Sequence, residues 1–154
     1  DLTTDRQAAE KAVEHTVKKL GKLPLILDSS AVVRPFSLAK ALGKYGFTVH
    51  RIFAQEVIPS DREAFEWVTK HMPTVEILQP EHNDIVKFDG RFPGSLSIGV
   101  NAAYISGSEH VVDLFADEGL FGYYGIRRLM ELMEEAADTV IDLRVLIEDY
   151  GLVV

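Results

Sequence analysis

Apolar residues recur along this chain at two alternating periods, and the alternation predicts strands separated by helices. Ala9, Val13, Val17 and Leu20 mark one face of a helix that follows Thr4-Asp5-Arg6-Gln7, a capping-box pattern, and that Gly21 stops. Leu23 to Leu27 is then a short unbroken apolar run, as in a strand covered on both faces. Pro35 fits the first turn of a helix carrying Phe36, Ala39 and Leu42 and closed by Gly43 and Gly46. Phe47 to Phe53 predicts a second strand. Ser60-Asp61-Arg62-Glu63 is another capping box, for a helix with Ala64, Phe65, Val68 and Met72 on one face. Pro73 ends it, and Thr74 to Leu78 predicts the third strand. Pro80 opens a short helix through Phe88, followed by an Asp89-Gly90 turn and a Pro93-Gly94 break. Leu96 to Val100 and Val111 to Phe115 predict strands four and five. Ile126, Met130, Met133, Ala137 and Val140 mark a last, long helix from about Gly122 to at least Thr139, with Asp149 as its furthest end.

This order implies an α/β fold: a doubly wound parallel sheet of four to five strands with right-handed crossovers and a long C-terminal helix. Any site should lie at the carboxyl ends of the strands. That rim collects Asp28, Ser29 and Ser30 after strand one, Gln55 and Glu56 after strand two, and His82 after strand three. Gly99 and Asn101 follow strand four, and Asp117, Glu118 and Phe121 follow strand five. A turn that also caps the Pro35 helix is the plainer reading of Asp28-Ser29-Ser30. Neither Gly-x-Gly-x-x-Gly nor a Walker sequence follows strand one, which speaks against nucleotide binding in the usual dehydrogenase manner. A phosphoacceptor receiver needs an acceptor Asp after strand three and a Lys after strand five. Gln79-Pro80-Glu81 and Ala116-Asp117 stand there instead.

The chain's 154 residues suit one domain, residues 1–154, with a sizeable core. A net charge of −8, with Lys18-Lys19 and Arg127-Arg128 each flanked by acids, argues against nucleic acid as a partner. No apolar run reaches the roughly 18–20 residues of a membrane span, so no membrane partner is expected, and no secretory leader is seen. The reading is cytoplasmic. The absence of Cys excludes disulfides and thiolate-held clusters within this segment. His15, His50, His71, His82 and His110 lack the i, i+4 spacing of a zinc helix, so no metal ligand set is expected. The missing initiator Met and the apolar Gly151-Leu152-Val153-Val154 ending suggest a piece cut from a longer, multidomain protein.

Two motifs go further. Gly119-Leu120-Phe121-Gly122-Tyr123-Tyr124-Gly125 sets three glycines and two tyrosines at a helix entrance, where another backbone or a ligand can approach free N–H groups. Upstream stands Ile98-Gly99-Val100-Asn101-Ala102-Ala103-Tyr104. An apolar strand ending in Ile-Gly-x-Asn-x-x-Tyr, a short apolar strand, then Gly-Tyr-x-Gly entering a long helix resembles the C-terminal domain of nitrogenase component 1-type oxidoreductases. That family includes molybdenum-iron protein subunits, cofactor-assembly scaffolds and protochlorophyllide reductase relatives. Gly21-Lys22 and Leu38-Ala39…Leu42…Tyr45-Gly46-Phe47 fit the same domain.

The resemblance implies a Rossmann-like architecture and a metallocluster pocket shaped, without ligation, by Asn101, Phe121, Gly122 and Tyr123. In the catalytic molybdenum-iron subunit the residue before Gly-Tyr-x-Gly is a cofactor-ligating His; Phe121 stands here and has no lone pair to give. The expectation is therefore a partner subunit, scaffold or divergent relative, inactive as an isolated domain. No cofactor is bound by this segment alone, and an iron–sulfur or related metallocluster belongs to the full-length protein. The implied partners are sister domains of the same chain, a homologous subunit and a reductase electron donor. The competing expectation is a Rossmann-like binding or interaction domain for a small metabolite or a protein.

Overall fold

The computed structural model describes residues 1–80 and 90–150. Among them five parallel strands form one sheet in the order β3-β2-β1-β4-β5, a doubly wound, Rossmann-like α/β fold. The strands are β1 (Pro24–Asp28), β2 (Thr48–Phe53), β3 (Glu76–Leu78), β4 (Leu96–Ile98) and β5 (His110–Val112). The helices are α1 (Leu2–Leu20), α2 (Pro35–Tyr45), α3 (Arg62–His71), α4 (Val100–Ser106), α5 (Gly122–Ala137) and α6 (Leu143–Tyr150). Residues 81–88 of the helix expected from Pro80 through Phe88, and Asp89 of the following turn, lie outside the described residues. Among the described residues no helix is long and apolar enough to cross a membrane.

Strand alternation sorts the core onto two faces. Leu25, Leu27, Ile52, Leu96 and Ile98 pack with residues of α1, α2, α3 and α5 in the larger cluster. Ile26 and Phe53 face the other way, onto Ala102 of α4 with Phe92 and Ile105. That second face also carries buried polar groups, all satisfied. Ser108 Oγ lies 2.6 Å from Ser95 Oγ and 2.7 Å from Ser97 Oγ. The Arg51 guanidinium donates to Gly90 O at 2.7 Å and to Ser106 Oγ at 2.9 Å. On the first face α1 runs beside α5, joined by Lys19 to Asp138 at 3.0 Å and Thr16 Oγ1 to Glu134 at 3.1 Å.

Five local expectations need correction. The Thr4–Gln7 box does not cap α1, which starts at Leu2 with the Asp1 side chain accepting from Thr3 N at 3.1 Å. The stretch expected to finish strand four becomes a helix. The strand stops at Ile98, Gly99 turns the chain at φ +123°, and α4 starts at Val100. The last helix ends at Ala137, short of Thr139. There Thr139, Val140 and Ile141 leave the helix, and the Ile141 N–H donates to Glu109 O at 2.8 Å. A separate α6 follows, with Asp142 Oδ1 accepting from the Arg144 N–H at 2.9 Å. Gly43 lies inside α2, and Gly46, at φ +106°, ends it. Finally, the Ser60–Glu63 box does not form on α3. A 3₁₀ turn (Pro59–Asp61) precedes the helix, and Asp61 accepts instead from Phe36 N at 2.9 Å, Ser37 N at 2.8 Å and Ser37 Oγ. Asp61, which is neither capping side chain of the expected box, caps α2.

Candidate functional site

The carboxyl edge of the sheet is tied together by side chains and loops drawn from four strands. Asp28, at the end of β1 and buried, accepts at Oδ1 from Ser30 N at 2.9 Å and Ser30 Oγ at 2.8 Å. Its Oδ2 accepts from Ala102 N in the first turn of α4 at 2.9 Å. The expected cap for the Pro35 helix is thus a cap for α4, across the point where strand order reverses. Gly99 is required here. A Cβ on it would sit 2.5 Å from Asp28 Cβ, and its φ of +123° disfavours side chains in any case. Asn101 is exposed one position into α4, with its amide nitrogen 3.4 Å from Ser30 Oγ. Asp28 is therefore a weld. Ser30 and Asn101 are the polar groups that remain accessible in the β1/β4 crevice.

The loop between β5 and α5 is stitched onto the same rim. Ala116 N donates to Ser30 O at 2.9 Å and Asp117 N to Ala31 O at 2.8 Å, while Asp117 Oδ1 accepts from Val33 N at 3.1 Å. Within this loop Ala116, Asp117, Glu118 and Gly119 take successive positive φ values of 46°, 64°, 40° and 81°. Three of the four carry a Cβ, so this left-handed turn is strained by about 1–2 kcal/mol per residue. Its hydrogen bonds to the loop after β1 hold it, together with Phe115 N to Glu118 Oε1 at 3.1 Å.

Beneath the turn lies a cavity of about 370 Å³ between the amino-terminal halves of α2 and α5. Its walls are mainly apolar: Val32, Leu38, Leu114, Leu120, Ile126 and Leu129, with Asp117, Gly122, Tyr123 and Gly125. Tyr123 and Ile126 also line a larger groove of about 710 Å³, bounded by one face of α1 and by Tyr45 at the end of α2. Chemically, this arrangement can take up apolar surface and present few hydrogen-bonding groups, the usual composition of small-molecule sites.

The four residues expected to line a pocket separate. Gly122 and Tyr123 line the cavity; Asn101 stands across the rim in the crevice; Phe121 is 70% exposed at the start of α5. Gln55, Glu56, Glu118 and the half-buried Ser29 also sit on the rim. His82 is outside the described residues. The other histidines have local partners: His15 faces Glu134 at 3.2 Å, His50 faces Glu76 at 3.7 Å, His71 stacks on Trp67, and His110 Nδ1 lies 3.0 Å from Ala136 O. Among the described residues no group of three or more His, Asp or Glu is placed to hold a metal ion. Nothing in Ala116-Asp117-Glu118 signals the strained turn. The sequence feature that falls at the cavity is the pair Gly122 and Gly125 flanking Tyr123, expected as part of a metallocluster pocket and placed instead among aliphatic side chains.

No protein-family model matches the chain, and no curated protein matches it. Among solved structures it is similar to a protein of Methanococcus maripaludis described as a candidate S-adenosyl-L-methionine-dependent methyltransferase. The identity is 14% and the TM-score 0.39, over 95% of this chain and 65% of that one. This chain therefore spans under two-thirds of the other's length, and a likeness so weak carries no argument about activity. These findings correct the nitrogenase component 1 resemblance, and with it the oxidoreductase, assembly-scaffold and metallocluster readings. They lend no support to the interaction-domain alternative either. The motifs behind the resemblance have local explanations: Gly99 makes room for Asp28, Gly122 holds φ +61°, and Gly125 passes close to Leu120.

Proposed function

We propose that this domain binds a small, mainly apolar ligand at the carboxyl edge of its sheet, in the cavity roofed by the 116–119 turn. The observation that carries the reading is the cavity itself: about 370 Å³ walled by aliphatic side chains from α2, α5 and the two loops, at the end of the sheet where α/β folds bind. Aliphatic surface open to water in such a cleft is stabilised by being covered. An apolar ligand covers it without having to match a demanding set of polar groups. Asp117 and the Tyr123 hydroxyl would orient whatever polar end the ligand has.

Octanol is a suitable probe. It should raise the melting temperature and shift the methyl resonances of Leu114, Leu120 and Leu129. Leu38→Trp, which fills the cavity from a partly buried position, should abolish both effects while leaving the fold intact. No response to octanol, or a response that Leu38→Trp leaves unchanged, would overturn the reading. S-adenosyl-L-methionine belongs in the same titration. Tight binding of it at the Ser30–Asn101 crevice, read from chemical shifts there, would transfer the functional site to the crevice.

A further inference from the structure

The second groove has no assigned role, and its shape constrains the ligand. It runs along one face of α1, from Arg6 to Lys18, a length of about 18 Å at the α-helical rise. Its floor is Ala9, Val13, Val17 and Ile126, with a tyrosine towards each end: Tyr123 beside the upper cavity and Tyr45 at the last residue of α2. Ile126 and Tyr123 line both spaces, so the upper cavity and the groove adjoin. End to end they offer an elongated, mainly apolar channel for a single chain that passes Tyr123.

The charged groups lie along the α1 side, and they are not equivalent. Near the upper end Arg6 is neutralised by Glu10 at 3.4 Å. Towards the lower end Lys18 has no ion-pair partner among the described residues, and Glu14 lies one turn away from it. The Tyr45 phenol borders the same lower part of the groove. The channel thus has an apolar length and, towards its lower end, an exposed lysine and a tyrosine on the same groove.

We infer that the ligand is a free long-chain carboxylate, a fatty acid. Its head group lies at Lys18 and Tyr45, and its tail passes Tyr123 into the cavity under the 116–119 turn. This rests on the reading of the upper cavity as a binding site and extends it to a substrate class. A compact apolar molecule uses only the upper cavity. A single chain of sufficient length uses both spaces, and each methylene it buries adds binding free energy. Lys18 holds its charge at the surface on an apolar stem, as lysines bordering apolar surfaces do.

The test is isothermal titration of the whole chain with octanoate, dodecanoate and hexadecanoate below their micellar concentrations, with octanol and dodecanol alongside. Affinity should rise with chain length, by up to roughly fourfold per methylene where burial is complete. Glu14→Trp, an exposed position on the groove wall, should remove that gain while leaving octanol binding unchanged. Lys18→Glu should weaken dodecanoate by about tenfold or more and leave dodecanol unaffected. Octanol binding with a flat response from octanoate to hexadecanoate would overturn the long-chain ligand and spare the upper cavity. Loss of octanol binding as well would sink both. Lys18→Glu with unchanged carboxylate affinity would overturn the head-group placement.

Discussion

Replacing Gly125 with Ala should destabilise the protein, although the same change in an ordinary helix interior stabilises it. On propensity alone Ala gains up to about 1 kcal/mol over Gly. At Gly125, however, a Cβ would lie 2.5 Å from the Leu120 carbonyl carbon, 2.8 Å from its oxygen and 3.1 Å from its Cα. Those are backbone atoms, in a loop fixed by Leu120 N to Asp117 O at 2.9 Å and Phe121 N to Gly119 O at 3.0 Å. Relief requires the first turn of α5 to move as a unit, at the upper end of overpacking costs, about 3 kcal/mol. The net loss is about 2 kcal/mol, or about 4–8 °C in a domain of this size. Gly122→Ala isolates a different cause: no atom lies within 4 Å of its Cβ position, but φ is +61°. It should cost about 1 kcal/mol, and Gly122→Asn should recover part of that, since Asn tolerates the left-handed region. Gly43→Ala is the control, because its new Cβ meets only the flexible Met72 side-chain end at 3.0 Å; it should be neutral or stabilising. Urea unfolding followed by circular dichroism measures all four. A Gly125→Ala variant as stable as the wild type or more so would refute the close approach of α5 to Leu120.

Asp61→Ala should cost about 2–3 kcal/mol in the same assay, because it strands two N–H groups at the buried start of α2; a loss under 0.5 kcal/mol would mean that water replaces the cap. Asp28→Asn should cost about 1–3 kcal/mol, since one amide oxygen cannot serve both Ser30 N and Ala102 N, and hydrogen exchange should speed up first in α4. Lys19→Ala, by contrast, should change stability by less than about 1 kcal/mol, because its pairs with Asp138 and Glu134 lie at the surface. A larger loss would show that the α1–α5 contact depends on that charge.

The alternation of strands and helices was legible because short unbroken apolar runs and apolar residues spaced at 3.6 leave different patterns, and β1, α2, β2 and α3 fall close to where those patterns put them. The distinction is lost where both patterns fit. From Ile98 to Ile105 nearly every residue is apolar or small, so nothing local separates a strand from the helix α4. The decision is made by Asp28, 74 residues away from Ala102, whose carboxylate completes the helix start. Asp61 repeats the lesson. It lies inside the expected Ser60–Glu63 box, yet its carboxylate satisfies the N–H groups of Phe36 and Ser37 at the start of α2, 25 and 24 residues earlier. Capping is local in sequence only when no other helix end comes within reach.

The candidate site was the least legible region, for the same physical reason that makes it a candidate. Ala116-Asp117-Glu118 has no glycine, and nothing in it calls for three left-handed residues in a row. That conformation exists because Ser30 and Ala31 offer carbonyls, and Val33 an N–H, at the edge of β1, all set by a strand more than 80 residues earlier. The strained turn and the cavity meet at Asp117 and Leu120, which line the cavity. A relaxed loop of the same length would be free to settle Leu120 into the space between α2 and α5, whereas the left-handed turn, anchored on both sides, holds Leu120 at the wall. Relaxing the turn should therefore shrink the cavity. Replacing Asp117 with Gly tests this, since it removes both the bond to Val33 N and the steric reason for strain at that position. It should leave stability within about 1 kcal/mol of wild type, the lost hydrogen bond offsetting the relieved strain, and should lower octanol affinity. If affinity is unchanged, the turn only crosses the cavity and does not hold it open.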